Sequence, residues 1–335
     1  MRSNRAKIRR LASALKVLLA VPFIMMTAQA SGIPQTEISN GIVKARIYLP
    51  DPEHGYYRGV RFDWSGVIAS LTYKGHEFFG QWFAKYDPLL HDAIMGPVEE
   101  FRSEQGAEGY AEAKPGGLFV KIGVGVLRKP DNEPYNFERT YTLVNPGRRI
   151  VRPAADRVDF VHELNNGEGY AYRYTKTLLL PHGKAQLVLE HVLKNTGTRV
   201  IDTEVYDHDF YMLDHLSIGP DIRLKFLFAP KPTEELQAPA RIDGNELRYT
   251  SELGPDGDSA HGPIAGFSDS PLDNNVRVEN VKAGIGVRET GDRPISKLYF
   301  WSIRTTVCPE IYIHIHVGPG QTFKWRTAYE FYLLK

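Results

Sequence analysis

Cysteine is almost absent from this sequence of 335 residues, because Cys308 is the single one. One cysteine excludes a disulfide within the chain and a zinc site built from several cysteines. An excess of one charge is also lacking, since 41 basic side chains stand against 40 acidic ones. The composition, with 42% hydrophobic and 24% charged residues, is that of a globular protein and excludes wholesale disorder.

The sequence also lacks an apolar run long enough to cross a membrane as a helix. The strongest run, Val17–Met26, is about half of the roughly 20 residues that a span needs. It follows the basic segment Arg2–Arg10 and precedes Ala28-Gln29-Ala30, a small-x-small cleavage pattern. Residues 1–30 are therefore predicted to be a signal peptide, and residues 31–335 a single periplasmic or secreted domain without a membrane span. An uncleaved N-terminal anchor is the alternative.

Several motifs that would fix a function are missing. The sequence contains no P-loop, no dinucleotide-binding glycine fingerprint, no G-x-S-x-G and no H-E-x-x-H. Residues 1–30 hold six basic side chains and no acid, which leaves 35 basic against 40 acidic side chains in the rest of the chain. Because this remainder is mildly acidic and has no long basic run, we expect it not to bind nucleic acid.

Short alternating segments rich in β-branched and aromatic residues dominate the sequence after residue 30, and they predict an all-β fold. A short helical turn within Asp87–Phe101 is the best helical candidate, and residues 230–275 are predicted to be a loop-rich insertion or a sheet-edge segment. The predicted strands are Ile42–Leu49, Val67–Tyr73, Leu118–Leu127, Phe137–Val144, Arg157–Leu164, Tyr170–Leu180, Gln186–Lys194, Val200–Tyr206, Ile222–Phe228, Glu246–Thr250, Gly284–Arg288, Leu298–Ile303, Ile311–Val317 and Thr322–Leu333.

Three segments concentrate side chains suited to acid–base chemistry. Tyr86–Arg102 contains a histidine, several acids and an arginine in a stretch without clear periodicity. Glu204–Tyr211 ends a strong strand and places His208 between two aspartates, which would favour its protonated form if the carboxylates are close in space. Val307–Ile311 brings Glu310 to the start of another strand.

The order of these segments resembles the aldose 1-epimerase (galactose mutarotase-like) superfamily over roughly residues 40–335. The central pattern runs from Gly167-Glu168-Gly169-Tyr170 through Asn195-Thr196-Gly197 to His208. Downstream, Glu310 followed by Pro319-Gly320-Gln321 and a final strand is similar to the catalytic glutamate and last strand of that family. The segment Tyr57–Gly66 is not part of the family pattern, and Asp92-Ala93 replace the two glycines that often follow the first histidine.

The resemblance implies a large antiparallel β-supersandwich with a shallow sugar cleft, and a divergent exported member of the family. It implies that Glu310 is the general base and His208 the general acid in the interconversion of aldose anomers. It also implies that His91, Arg102 and Asp209 bind the substrate, a mono- or oligosaccharide. Neither a metal nor an organic cofactor is expected.

Two other functions remain open on the sequence. One is a carbohydrate-binding protein that keeps the cleft without turnover. The other is a sugar-acting enzyme of another reaction type, such as elimination at a uronic acid, because one scaffold can host unrelated chemistries. The sequence identifies neither the sugar nor the oligomeric state.

Overall fold

The structure is a computed structural model that describes residues 32–103, 105–166, 168–255 and 257–335. The predicted signal peptide, residues 1–30, lies outside the described residues. Residues Ile33–Lys335 form one compact unit. Among the residues described, no helix has the length and apolarity to cross a membrane.

Antiparallel strands account for almost all the regular structure. The strands are β1 Gln35–Ser39, β2 Val43–Tyr48, β3 Val67–Tyr73, β4 His76–Phe79, β5 Val98–Phe101, β6 Leu118–Lys121, β7 Gly125–Arg128, β8 Thr142–Asn145, β9 Arg148–Pro153, β10 Arg157–Asn165, β11 Ala171–Leu179, β12 Gln186–Asn195, β13 Ile201–His208, β14 Ile222–Phe226, β15 Lys231–Pro232, β16 Ala240–Asp243, β17 Glu246–Tyr249, β18 Ser259–Ala265, β19 Asn275–Asn280, β20 Ile285–Gly291, β21 Lys297–Ile303, β22 Thr306–Val317 and β23 Thr322–Leu333. Two 3-10 turns, Leu213–His215 and Pro271–Asp273, are the helical elements of the described part of the chain.

Two large sheets organise these strands. The larger sheet has ten strands in the order β16-β17-β14-β19-β20-β23-β12-β11-β10-β9. The second sheet has six strands in the order β15-β18-β21-β22-β13-β5, and two small sheets, β1 to β4 and β6 to β8, complete the set. The main hydrophobic core joins Leu187 and Val278 of the ten-stranded sheet to Phe300 and Ile311 of the six-stranded sheet. The all-β antiparallel sandwich predicted from the sequence is therefore confirmed.

The structure corrects three details of the predicted elements. Residues 230–275 hold β15 to β18, which lie at the edges of both large sheets, so the segment is at a sheet edge, as one of the two predicted alternatives has it, and is not a loop-rich insertion. The predicted strand Leu118–Leu127 is two strands, because the chain turns at Gly123, whose φ is +82°. The segment Asp87–Phe101 contains hydrogen-bonded turns around Leu90 and then β5, without a helix.

The strands β1, β4, β9 and β19 have no counterpart among the predicted strands. The strand β4 has four residues, and in β19 polar and charged residues are buried together with the apolar ones. Both features hide the alternation on which a prediction from sequence depends. Sheet pairing supplies the missing information, since β4 joins β3 and β19 lies between β14 and β20.

Candidate active site

One face of the six-stranded sheet carries polar and aromatic side chains, and the opposite face packs into the core. Successive side chains of a strand point to opposite faces, so Glu310 and Tyr312 of β22 share one face while Val307 and Ile311 contribute to the core. The same alternation in β21 places Tyr299 on the face of Glu310, because these two residues are paired in the sheet. A polar surface thus spans neighbouring strands.

This face forms the floor of a cleft of about 440 Å³. Loops from the first half of the chain supply its other walls, so the cleft combines residues that are far apart in the sequence. The lining residues are Arg61, Asp92, Arg102, Phe137, Glu138, His208, Ser259, His261, Lys297, Tyr299, Trp301, Glu310 and Tyr312. Both side chains predicted to be catalytic are among them.

His208 and Glu310 are in direct contact on the cleft floor. The antiparallel register of β13 and β22 pairs Tyr206 with Tyr312, and its continuation places His208 opposite Glu310. The His208 Nε2 and Glu310 Oε1 atoms lie 3.4 Å apart, and both side chains are buried. The hydroxyl of Tyr312 donates a hydrogen bond of 3.1 Å to Glu310 Oε2. A proton can therefore pass between two groups that both reach the cleft.

Aromatic rings hold the imidazole of His208 in place. The Phe210 ring stacks on it with centroids 3.7 Å apart, and Trp301 and Phe62 approach it edge-on at 5.3 and 5.7 Å. The Nδ1 atom of His208 is buried and has no hydrogen-bond partner among the described residues. This surrounding is apolar on three sides, so it disfavours the charged imidazolium.

Burial moves the pKa values of the two groups in opposite directions. It lowers the pKa of His208 to about 3, with the nearby cation Arg61 adding to the shift. It raises the pKa of Glu310 to about 7, against the opposing effect of Arg61. These shifts favour a neutral His208 and a Glu310 that keeps its proton up to about neutral pH. The resemblance implied the reverse distribution, with a protonated histidine and an ionised glutamate.

Arg61 is the feature of the site that the sequence reasoning did not identify as functional. Its guanidinium is buried and contacts Asp92 at 2.5 Å, Glu100 at 2.8 Å and the hydroxyl of Tyr206 at 3.1 Å. Lys121, also buried, holds the second oxygen of Glu100 at 3.3 Å. The segment Tyr57–Gly66, which stands outside the family pattern, therefore supplies a buried cation whose charge acts on both His208 and Glu310.

The three residues predicted to bind substrate have different positions. Arg102 lines the cleft. His91 is not among the lining residues, but it contacts Asp92 at 3.2 Å and packs edge-on against Phe137, and both of these do line it. His91 therefore lies next to the cleft wall without forming part of it.

Asp209 is placed away from the cleft. It follows His208 directly and so points to the opposite face of the sheet, where it has no solvent exposure. The hydroxyl of Tyr329 donates hydrogen bonds to Asp209 at 3.0 Å and to Asp207 at 2.8 Å. Burial and the neighbouring Glu289 raise the pKa of Asp209 well above its usual value. A direct substrate contact by Asp209 is therefore incompatible with this structure.

One group of side chains among the described residues could hold a metal ion. His208, Cys308 and Glu310 each offer one ligand atom, and these atoms lie within 4.8 Å of one another. However, Cys308 Sγ accepts a hydrogen bond of 3.1 Å from the Asp209 N–H, and burial raises the pKa of the thiol well above its usual value. A thiolate is the metal-binding form. The expectation that no metal is needed stays a prediction.

Solved structures of sugar epimerase homologues are similar to this chain. A GalM/aldose epimerase homologue from C. elegans superposes with a TM-score of 0.55 at 13% identity, over 91% of this chain and 100% of that one. A putative aldose 1-epimerase from Escherichia coli K12 gives 0.54 at 13% identity, over 90% and 100%. A galactose mutarotase-like protein from Lactobacillus casei gives 0.52 at 14% identity, over 89% and 100%.

The chain has the galactose mutarotase-like fold. The predicted resemblance is confirmed at the level of the fold. No protein-family model and no curated protein matches the sequence. The mutarotase-like fold by itself does not assign an activity, so the chemistry must be argued from the cleft and its acid–base pair.

Proposed function

We propose that the protein interconverts the α and β anomers of an aldose, with His208 and Glu310 as the acid–base pair. The observation that carries the proposal is their 3.4 Å contact on the floor of a cleft in a mutarotase-like fold. A general acid and a general base are the two groups that ring opening of a hemiacetal requires. The aromatic side chains Trp301, Tyr299 and Phe137 line the same cleft and can pack on a sugar ring.

The reaction moves two protons and breaks one bond. The base takes the proton from the hydroxyl on C1, the C1–O5 bond breaks, and the acid protonates O5 to give the open-chain aldehyde. Rotation about C1–C2 and the reverse transfers close the ring on the other face. Because the pKa shifts favour a proton on Glu310 over one on His208, we assign to Glu310 the donation to O5 and to His208 the removal of the proton from C1–OH. This assignment inverts the one that the resemblance implied.

The assay follows freshly dissolved single-anomer aldoses by polarimetry or NMR. We expect His208→Ala and Glu310→Gln each to lower the rate about 10²- to 10⁴-fold, the usual contribution of a positioned proton transfer. The double variant should be little slower than either single one, since groups that act as a unit are not additive. His314→Ala is a matched control, because His314 lies on the same strand β22, is exposed and pairs with Asp202.

Two results would overturn parts of the proposal. If the wild-type protein binds sugars without accelerating anomer exchange, the activity is wrong, and release of an unsaturated product from a polyuronate would instead indicate elimination. If exchange is fast and both variants retain it, the residue assignment is wrong.

We also propose that residues 1–30 direct export to the periplasm or medium. The support is the basic segment, the short apolar run and Ala28-Gln29-Ala30. Mass spectrometry of the exported protein should give an N-terminus near Ser31. An intact Met1 in a membrane fraction would contradict cleavage.

A further inference from the structure

The guanidinium of Arg102 lines the cleft and is in direct contact with no carboxylate of the described residues. Arg102 directly follows β5, and its main-chain N–H donates to the main-chain oxygen of Glu204 at 2.8 Å. Its side chain is half-buried and lies 4.9 Å from the ring centroid of Phe137. Glu100 is the described carboxylate whose charge acts most strongly on Arg102, but Glu100 is already held by Arg61 and Lys121. A half-buried cation without a partner favours an anion in the space that it faces.

A second unpaired cation lines the same cleft. Lys297 is paired with Tyr312 across β21 and β22, and its Nζ lies 4.2 Å from the Tyr312 ring centroid. Among the ion pairs of the described residues, none includes Lys297. Tyr312 in turn donates its hydroxyl to Glu310 at 3.1 Å. The side chain of Tyr312 therefore lies between the ammonium group of Lys297 and the proposed acid, Glu310.

The other charges of the cleft do not cancel these two cations. Arg61 and Asp92 neutralise each other through their 2.5 Å contact. Glu310 is half-protonated near neutral pH because its pKa is about 7. The exposed Glu138 is the remaining carboxylate of the lining, and it pairs with no described cation. Arg102 and Lys297 together outweigh Glu138 and the half-ionised Glu310, so the cleft keeps a small excess of positive charge.

We propose that the substrate is an aldose whose C6 carries a negative charge, as in a uronate or a sugar 6-phosphate, bound through Arg102 and Lys297. The inference rests on the proposed function, which places C1 and O5 at the pair His208 and Glu310. In a pyranose O5 is bonded to C5, and C5 carries C6. An anionic group on C6 is therefore only a few bonds from O5, the atom that Glu310 protonates. Lys297 is correspondingly close to Glu310, because only the side chain of Tyr312 lies between them.

Binding distinguishes this inference from the catalytic proposal. Isothermal titration or NMR titration should show galacturonate binding at least about tenfold more tightly than galactose, since a hydrogen bond to a charged group contributes about 1.4 kcal/mol or more. The methyl ester of galacturonate should lose this gain, because it removes the charge and keeps the shape. Galactose 6-phosphate, tested in parallel, separates a carboxylate from a phosphate as the preferred anion.

The variants test the residues. Arg102→Gln and Lys297→Gln should each weaken galacturonate binding by a larger factor than galactose binding, and so remove most of the preference for galacturonate. Glu138→Gln is a control for which we expect the opposite change in affinity: it removes a negative charge from the cleft and should tighten galacturonate binding. Equal affinity for galacturonate and galactose, or a preference that survives both substitutions, would overturn the inference. If galacturonate binds tightly but its anomers exchange no faster, the inference stands and the proposed activity fails.

Discussion

Glu310→Gln should make the protein more stable at alkaline pH while it removes turnover. The side chain of Glu310 is buried, and burial raises its pKa from 4.5 to about 7. Above pH 7 the folded protein must therefore hold an ionised carboxylate in a place that favours the neutral acid. Glutamine has nearly the same shape, is always neutral, and can still accept the hydrogen bond from Tyr312.

The magnitude follows from the pKa shift. A raised carboxyl pKa gives a contribution to stability that is fully present below the unfolded pKa of 4.5 and is lost as the pH rises through about 7. The free energy of unfolding of the wild-type protein thus carries a penalty of about 3 kcal/mol above pH 7, at about 1.4 kcal/mol per pKa unit. The variant escapes this penalty, so the difference between the two proteins should grow from near zero at low pH to that value.

Glu100→Gln is the matched control, because its carboxylate is equally buried and belongs to the same group of charges. Burial alone would raise the pKa of Glu100, but Arg61 and Lys121 outweigh it and hold the pKa well below its usual value. The contribution of Glu100 to the free energy of unfolding is therefore present above the pKa of this group in the unfolded chain, and it is lost as the pH falls. Removing it leaves the buried Lys121 without a carboxylate and Arg61 with Asp92 alone, which should cost about 3–5 kcal/mol at neutral pH.

Urea denaturation at several pH values between about 4 and 8 tests the sign of the stability change in both variants. Anomer exchange is measured on the same samples. The expected pattern is a stabilised and inactive Glu310→Gln beside a destabilised Glu100→Gln. If Glu310→Gln has the same stability as the wild type at every pH, Glu310 is not a buried acid with a raised pKa, and the assignment of its proton in the proposed mechanism fails.

Three further outcomes are expected. Anomer exchange should follow a bell-shaped pH profile with limbs near the pKa values of His208 and Glu310, about 3 and about 7, measured as kcat/KM by polarimetry, and a flat profile would contradict the acid–base pair. Arg61→Met should lower the free energy of unfolding in urea by about 3–5 kcal/mol, because it leaves Asp92 without its arginine and Glu100 with Lys121 alone, and an unchanged stability would show that the charges of this buried network do not compensate one another. Treatment with EDTA and Cys308→Ala should each leave the exchange rate unchanged, and recovery by Zn²⁺ of activity lost to EDTA would reveal a metal centre at His208, Cys308 and Glu310.

The pH profile reports the pair and not either residue alone. A protonated Glu310 beside a neutral His208 holds the same number of protons as an ionised Glu310 beside a protonated His208. Both forms give the same bell-shaped pH profile, so the macroscopic pKa values belong to the pair and not to one residue. The infrared band of a protonated carboxyl group, absent in Glu310→Gln, would identify which residue carries the proton.

The sequence by itself determined the fold class and the two central residues of the site. Period-two alternation is a local property, and each long strand such as Gln186–Asn195 contains enough residues to display it. The motif that ends in His208 and the position of Glu310 are also local. For this reason both were identified before any contact between them was known.

Tertiary structure decided which side chains meet and in which protonation state. The register of β13 against β22 brings His208 to Glu310, and a shift of one residue would turn every side chain of the strand to the other face. Asp209 shows the effect, since it adjoins His208 in sequence but lies on the core side. The Arg61 contact with Asp92 and the burial that raises the pKa of Glu310 depend on segments far apart in the chain, and neither pairing nor desolvation is encoded in a local pattern.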